Sequence, residues 1–367
     1  MTAPLFTQLV ETLPSSVPFV GPEALERRTG TRFRARIGAN ESVFGPSPGV
    51  VEAMRAATPD MWQYCDPENH DLRNALADHL GVEPANVMVG EGIDGLFGYA
   101  VRLFVEPGVA VATSRGAYPT FNFHVQGFGG RLVMAPYVND REDPATLLSV
   151  ARQEKARLIY FANPDNPMGG WWDAAAVEGL IAALPANTVL MLDEAYGEFA
   201  PPGTLPPLDV SNPAVLRFRT FSKAYGLAGM RLGYCIGHAS VISAFDRIRN
   251  HFGVTRMGQV AGLAALRDQD HLEHVVLRVA EAREAIGQIA RDNGLTALPS
   301  ATNFVAVDLG RDGDYARRVL EALGAAGVFV RMPGVAPLNR AIRITAGRPE
   351  DLRIFAAELP RALTAAG

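Results

Sequence analysis

Seven short runs rich in β-branched and aromatic residues recur along the middle of the chain: "NVMVG" (Asn86–Gly90), "VAVATS" (Val109–Ser114), "RLVMAPY" (Arg131–Tyr137), "RLIYFANP" (Arg157–Pro164), "TVLMLDEAY" (Thr188–Tyr196), "VLRFRTFS" (Val215–Ser222) and "LGYCIGH" (Leu232–His238). Their apolar positions are nearly consecutive and not strictly alternating, which implies strands buried on both faces, as in a mostly parallel sheet covered by helices. Helical patterns such as "DGLFGYAVRLF" and "DAAAVEGLIAAL" lie between them. From about Val260 the period changes. In "HLEHVVLRVAEAREAIGQIARDNG", Val275, Val276, Val279, Ala282, Ile286 and Ile289 recur near helical spacing and predict one long amphipathic helix. Shorter strands follow at "NFVAVDL", "VFVRM" and "AIRITAG". The pattern predicts an α/β chain with a seven-stranded, mostly parallel sheet flanked by helices, plus a smaller α+β domain. The expected divisions are an N-terminal segment (1–40) packing with the small domain, a large domain (41–258) and a small domain (259–367).

Composition narrows the partners. With 48% hydrophobic and 20% charged residues, the 367-residue chain can bury a sizeable core. A formal net charge of -5 argues against nucleic acid as the main partner but leaves room for a local anion pocket. Cys65 and Cys235 make neither a disulfide framework nor a metal cluster, so no metal site is expected and a reducing compartment fits. The first residues lack a basic stretch followed by a long apolar run, and no apolar stretch approaches the ~18 residues of a membrane span. The expectation is a cytoplasmic protein with no membrane partner.

The chemistry concentrates in a few segments. "VMVGEGIDGLFGYA" holds Gly90, Gly92 and Gly95 after a strand and before a helix, where backbone N–H groups and the helix N-terminus can hold a phosphate. A dinucleotide site would also need an acid about 20 residues on, at the end of the next strand. "VAVATSRGAY" offers Ser114 and Arg115 there instead, which weakens a dehydrogenase reading. "ANPDNPMGG", "MLDEAYGEF" and "TFSKAYGLAGMR" place Asn163 and Asn166, Asp193 and Tyr196, and Lys223 at the ends of three strands, where open α/β sheets bind ligands. Lys223 among small residues and hydroxyls suits a Schiff base to a carbonyl cofactor. An aspartate suits a protonated pyridine nitrogen, and an asparagine and a tyrosine suit a phenolic oxygen. Together these are the polar groups that pyridoxal 5′-phosphate requires.

At these residues the chain resembles the fold-type I pyridoxal-phosphate aminotransferases of class I/II, in their histidinol-phosphate aminotransferase branch. "GANESVFGPSP", "YCDPENHDLRNALADHLGV", "GEGIDGLFGYAVRLFVEPG", "GAYPTF", "NPDNPMGG", "DEAYGEF", "TFSKAYGLAGMRLGY" and "AIRITAG" stand in the family's order and spacing. The resemblance implies pyridoxal 5′-phosphate as cofactor, with Lys223 as Schiff-base lysine and proton carrier and Asp193 as partner of the ring nitrogen. It implies Tyr196 and Asn166 on the phenolic oxygen and Tyr118 stacked on the ring. Gly92, Ile93, Asp94, Thr220, Ser222 and Arg231 would form the phosphate cup, reached by Tyr64 from the neighbouring subunit of a homodimer with shared sites. Arg343 would clamp the substrate's carboxylate, with Asn40 near that carboxylate and Arg331 as a second anion contact. The reaction implied passes an amino group from a donor such as glutamate to an oxo acid or phosphate-bearing ketone.

Some positions depart from the branch's pattern. Phe19 stands where a substrate-facing tyrosine is usual and offers no hydroxyl. Val43 and Phe44 make the rim by "NESVFGP" more apolar, "NPMGG" replaces Asn-Pro-Thr-Gly, and Cys65 replaces a proline. These departures keep an aromatic or broad-range aminotransferase in view, and behind it a decarboxylase or lyase on the same scaffold. Glu194 is expected to be structural, and Arg219 a structural ion-pair residue.

Overall fold

A computed structural model describes residues 5–14 and 20–367. Its strands are β1 (Ala35–Arg36), β2 (Val87–Gly90), β3 (Ala110–Ser114), β4 (Arg131–Ala135), β5 (Leu158–Ala162), β6 (Val189–Asp193), β7 (Val215–Thr220), β8 (Gly233–Gly237), β9 (Thr296–Ala297), β10 (Phe304–Asp308), β11 (Val328–Phe329) and β12 (Ala341–Thr345). The seven apolar runs become β2 to β8, joined in one sheet in the order β2-β8-β7-β6-β5-β3-β4. Six of the seven strands are parallel to one another, and β8 runs antiparallel to β2 and β7. The exception has a local cause. The segment between β7 and β8 holds a 3₁₀ turn (Ala228–Met230) and no α-helix to make the crossover that parallel neighbours use.

Both faces of this sheet are covered, as consecutive apolar residues require. On one face Phe97, Phe121, Tyr160 and Phe218 pack together, all fully buried. On the other, Leu147, Phe161, Val177, Leu190 and Leu192 meet the helices Pro144–Gln153 and Ala174–Ala182. Those helices begin at Asp143 and Asp173, whose carboxylates accept from the backbone N–H of Thr146 and Ala176 and so cap the first turn.

The C-terminal part builds a separate antiparallel sheet, β12-β10-β9, and β11 pairs in parallel with β1 from the other end of the chain. The predicted long helix spans Gln269–Asp292 and buries Val275, Val279, Ala282, Ile286 and Ala290, while Val276 and Ile289 flank that stripe half-buried. Val275, Val279, Phe304 and Ile344 share a core with Tyr196 and Ala224, so this region packs directly behind the ends of β6 and β7.

One glycine permits a close approach of two loops at the functional end. Gly226 has φ +69°, and a Cβ there would lie 2.4 Å from the carbonyl of Gly45. The loop after Lys223 therefore lies directly against the loop that carries Asn40.

Candidate active site

The carboxyl ends of β5, β6 and β7 converge on a cleft of about 720 Å³. Lys223 enters it three residues beyond β7. Its Nζ donates to the carbonyl of Asn40 at 3.0 Å and sits 5.6 Å from the centre of the Tyr196 ring. Burial, followed by the nearby cations Arg343 and Arg231, lowers the lysine's pKa to about 8. The amine is thus half neutral near pH 8, well below the range of an exposed lysine.

Asp193 ends β6 and forms part of the floor. Its Oδ1 accepts from the Ala195 N–H at 2.9 Å, and its Oδ2 from the Tyr160 hydroxyl at 2.6 Å. Burial raises its pKa to about 6 against these bonds and the Lys223 charge. A carboxyl whose folded pKa lies above its unfolded value costs stability as pH rises from about 4 to 6, and that cost persists at neutral pH. A cationic partner at this position would offset it. Each carboxylate oxygen keeps a second lone pair for such a partner.

The Tyr196 hydroxyl accepts from Asn40 Nδ2 at 2.9 Å and from Asn166 Nδ2 at 3.4 Å, while its ring meets Phe304 edge-on. Asn166 also faces Arg343, whose guanidinium donates to its Oδ1 at 2.5 Å. The sequence-based role for Asn166 named only the phenolic oxygen, and the structure adds this contact to the anion-clamp arginine. Arg343 Nε is shielded from water and has no hydrogen-bond partner among the described residues, which leaves a buried donor for an anion. Arg331 pairs backbone to backbone with Arg343 and donates through its guanidinium to the Val20 carbonyl at 2.9 Å.

The opposite end of the cleft joins a helix N-terminus to a cation, a combination suited to an anion. The helix Gly92–Phe104 begins there with Gly92 at φ +73°, and a Cβ on Gly92 would lie 2.6 Å from the Arg231 guanidinium. Arg231 itself takes a left-handed conformation (φ 52°), unusual for a side-chain-bearing residue, which turns the chain back toward that helix N-terminus. Ile93, Asp94, Thr220 and Ser222 line the same end. The Thr220 hydroxyl is occupied within the loop, donating to the Leu232 carbonyl and accepting from the Ser222 N–H. Asp94 also faces His124 at 3.4 Å. Tyr118 stands at the N-cap of the helix Pro119–Gly127 and lines the cleft wall, its hydroxyl pKa pushed up to about 12 by burial.

The fold thus gathers the predicted residues Asn40, Ile93, Asp94, Tyr118, Asn166, Asp193, Tyr196, Thr220, Ser222, Lys223, Arg231, Arg331 and Arg343 around one cleft, with Gly92 beneath Arg231. Tyr64 lies outside it, 81% exposed and packed on Phe252 at 5.1 Å. Phe19 lies outside the described residues. Val43 and Phe44 are not at the mouth. Phe44 packs on the C-terminal core beneath Arg278, and the Val43 carbonyl accepts from Arg348. Their apolar character serves packing, and the argument for an apolar rim at these positions fails. Sequence reasoning missed Tyr160, although strand parity could have found it: it lies two residues before Ala162, which pairs with Asp193. It also missed Asn303, which donates to the Asn40 carbonyl that Lys223 uses.

A strand-end lysine and a buried aspartate share this cleft, with a glycine-led helix N-terminus and Arg231 at one end and paired arginines at the other. The chain belongs to the class I and II aminotransferases, whose family model matches residues 36–359. Within that family it is similar to the histidinol-phosphate aminotransferase of Anaeromyxobacter sp. (strain Fw109-5), at 37% identity over 96% of this chain and 98% of that protein. A second histidinol-phosphate aminotransferase, from Moorella thermoacetica, is 30% identical over 96% of this chain and 92% of its own length. Among solved structures, the histidinol-phosphate aminotransferase from Sinorhizobium meliloti in complex with pyridoxal-5′-phosphate superposes with a TM-score of 0.96 at 56% identity, covering 99% of this chain and 98% of that one. Aspartate aminotransferase from Thermus thermophilus, at 22% identity and a TM-score of 0.82, shares the fold.

Proposed function

We propose that this transaminase is a pyridoxal-phosphate-dependent histidinol-phosphate aminotransferase, passing an amino group between glutamate and a phosphate-bearing ketone. The observation that carries this reading is the placement of Lys223 Nζ and the Asp193 carboxylate in one cleft, between the Gly92–Arg231 cradle and the Arg343–Arg331 pair. The residues fit the cofactor: a small-residue helix N-terminus and a cation for its phosphate, a buried carboxylate for its ring nitrogen and a pKa-lowered lysine for its carbonyl.

When bound, pyridoxal phosphate supplies a carbonyl that takes up the amino group and a ring that accepts electrons from the substrate carbon. The protein's residues do the rest. Asp193 would hold a proton on the ring nitrogen, and Tyr196 and Asn166 would hold the phenolic oxygen. Tyr118, on the cleft wall, would pack against the ring. Lys223 Nζ, whose pKa is lowered to about 8, would take the proton from the donor's α-carbon and deliver it to the cofactor's carbonyl-derived carbon. Arg343 holds the substrate's anionic end, with Asn40 beside it and Arg331 as the second cation. Met332 and Val335 add apolar surface to the cleft wall.

Met61, Trp62, Tyr64 and Phe252 are exposed apolar or aromatic residues, and the Tyr64 ring packs on Phe252. This supports a homodimer in which Tyr64 reaches the partner's phosphate cradle. Light scattering is expected to give twice the 39.4 kDa chain mass, and Trp62→Arg to shift the enzyme toward the monomer. The pairing of β1 with β11 supports the division into an N-terminal segment (1–40) joined to a small domain (259–367) and a large domain (41–258). Two unpaired cysteines support a cytoplasmic location, and no helix among the described residues is long and apolar enough to cross a membrane.

The substrate is tested by absorbance. Glutamate is expected to bleach the bound cofactor's visible band, and imidazole acetol phosphate to restore it at least ~10²-fold faster than phenylpyruvate. Faster restoration by phenylpyruvate would replace the substrate assignment with an aromatic amino acid and leave the aminotransferase intact.

A further inference from the structure

Behind the cleft floor, the Tyr160 hydroxyl donates to the Asp193 carboxylate at 2.6 Å. Tyr160 does not line the cleft. It is fully buried, stacked on Phe121 (ring centres 4.5 Å apart, planes 19° apart) and met edge-on by Phe97 at 5.5 Å. Both neighbours belong to the sheet's aromatic core, so the phenol ring is clamped and its hydroxyl reaches Oδ2 from a fixed position. On β5, Tyr160 shares a face with Ala162, which lies opposite Asp193 on β6. The bond is thus built into the strand register.

We infer that Tyr160 is a positioning residue that aims the Asp193 carboxylate at the cofactor's ring nitrogen and keeps the shared proton on that nitrogen. The inference rests on the cofactor reading above. The physical reason is the direction of the bond. A hydroxyl donating to a carboxylate stabilises its charged form and makes it a weaker base, so the proton between Asp193 and a pyridine nitrogen stays on the nitrogen. There it draws electrons into the ring. Burial pushes the phenol's own pKa well above its ordinary value, so Tyr160 remains a donor throughout the working range.

The other groups that bear on Asp193 do not substitute for this bond. Lys223 favours its ionised form, whereas Glu194 opposes it, and Glu142 and Asp165 add two further carboxyls in the same buried neighbourhood. Tyr118 and Tyr196 also feel the charge of Asp193. In so acidic a setting, loss of the Tyr160 donor moves the proton onto Asp193 Oδ2 and leaves the nitrogen neutral. No electron changes hands in this transfer.

The test is Tyr160→Phe, which keeps the ring and removes only the hydroxyl, compared with wild type and with Phe121→Leu, which loosens the stack but leaves the hydroxyl. Each holoenzyme is prepared with cofactor labelled with ¹⁵N in the ring. The expected result is a ring-nitrogen resonance at the protonated position in wild type and Phe121→Leu, displaced toward the unprotonated position in Tyr160→Phe. Cofactor affinity in the same variant is expected to fall by about tenfold. If Tyr160→Phe matches wild type in both readouts, the positioning role is overturned and the cofactor reading stands. If Phe121→Leu displaces the resonance equally, the effect is one of packing, and the role is again overturned. A wild-type protein that binds no pyridoxal phosphate would overturn the cofactor reading and this inference together.

Discussion

Lys223→Ala is expected to lower the rate of transamination by about 10⁴–10⁶-fold while leaving the fold intact. The side chain is half-buried in a wide cleft and its one hydrogen bond goes to a loop carbonyl that Asn303 also serves, so its loss removes little packing. What disappears is the amine at the carboxyl ends of the strands whose pKa is lowered to about 8. Lys223→Arg separates charge from chemistry. Arginine keeps the cation near Tyr196 but does not deprotonate in a protein, so it is expected to be as inactive as alanine. The wild-type apo-enzyme adds a pH signature. Only the neutral amine attacks a carbonyl, and burial together with Arg343 and Arg231 places the Lys223 pKa at about 8. The rate of cofactor capture should therefore rise with pH and level off above about 8. Stopped-flow absorbance on apo-enzyme between pH 6 and 10 reads this directly. A midpoint near that of a free lysine would mean that neither burial nor the two arginines act on the amine.

The parts of this molecule that were legible in its sequence are those set by local pattern. Seven consecutive-apolar runs became the seven strands of one sheet because a strand covered on both faces has no polar face to interrupt its run. Lys223, Asp193 and Asn166 were legible as strand-end residues, and sheet geometry brings strand ends together whatever the intervening sequence. Contacts made through the sheet interior were hidden. Tyr160 is an aromatic residue in an apolar run, indistinguishable by composition from Phe161 beside it. Only strand register shows that its hydroxyl, and not its ring alone, has a partner. The antiparallel course of β8 was hidden too, because its sequence is as apolar as its parallel neighbours and direction is set by the short loop before it. The misplaced rim shows the converse error. Val43 and Phe44 adjoin cleft residues in sequence, but the chain turns after Glu41 and carries Phe44 into the C-terminal core.

Glu194→Gln is expected to destabilise the protein by about 3–5 kcal/mol, because it breaks a buried ionic cluster and leaves its cations in place. The Glu194 side chain is 0% exposed and receives both nearby arginines of β7: Oε1 accepts from Arg217 at 3.0 and 2.5 Å, and Oε2 from Arg219 at 2.9 Å. Arg217, 4% exposed, also donates to the Pro206 and Pro207 carbonyls, which ties the loop before β7 to the end of β6. An isosteric glutamine keeps the shape but turns one acceptor into an N–H₂ facing a guanidinium, and two cations lose their counter-charge. Thermal unfolding should move down by on the order of 5–10 °C in a chain of this length. The neighbouring site predicts what should survive. Glu194 pushes the Asp193 pKa up, so loss of its charge makes Asp193 easier to ionise and does not weaken its hold on a cationic partner. Calorimetry and cofactor titration on the same variant therefore separate two roles. Lowered stability with retained cofactor affinity places Glu194 in the scaffold, as its partners indicate. Unchanged stability with lost affinity would place it in the site and reverse the assignment of these two adjacent carboxylates.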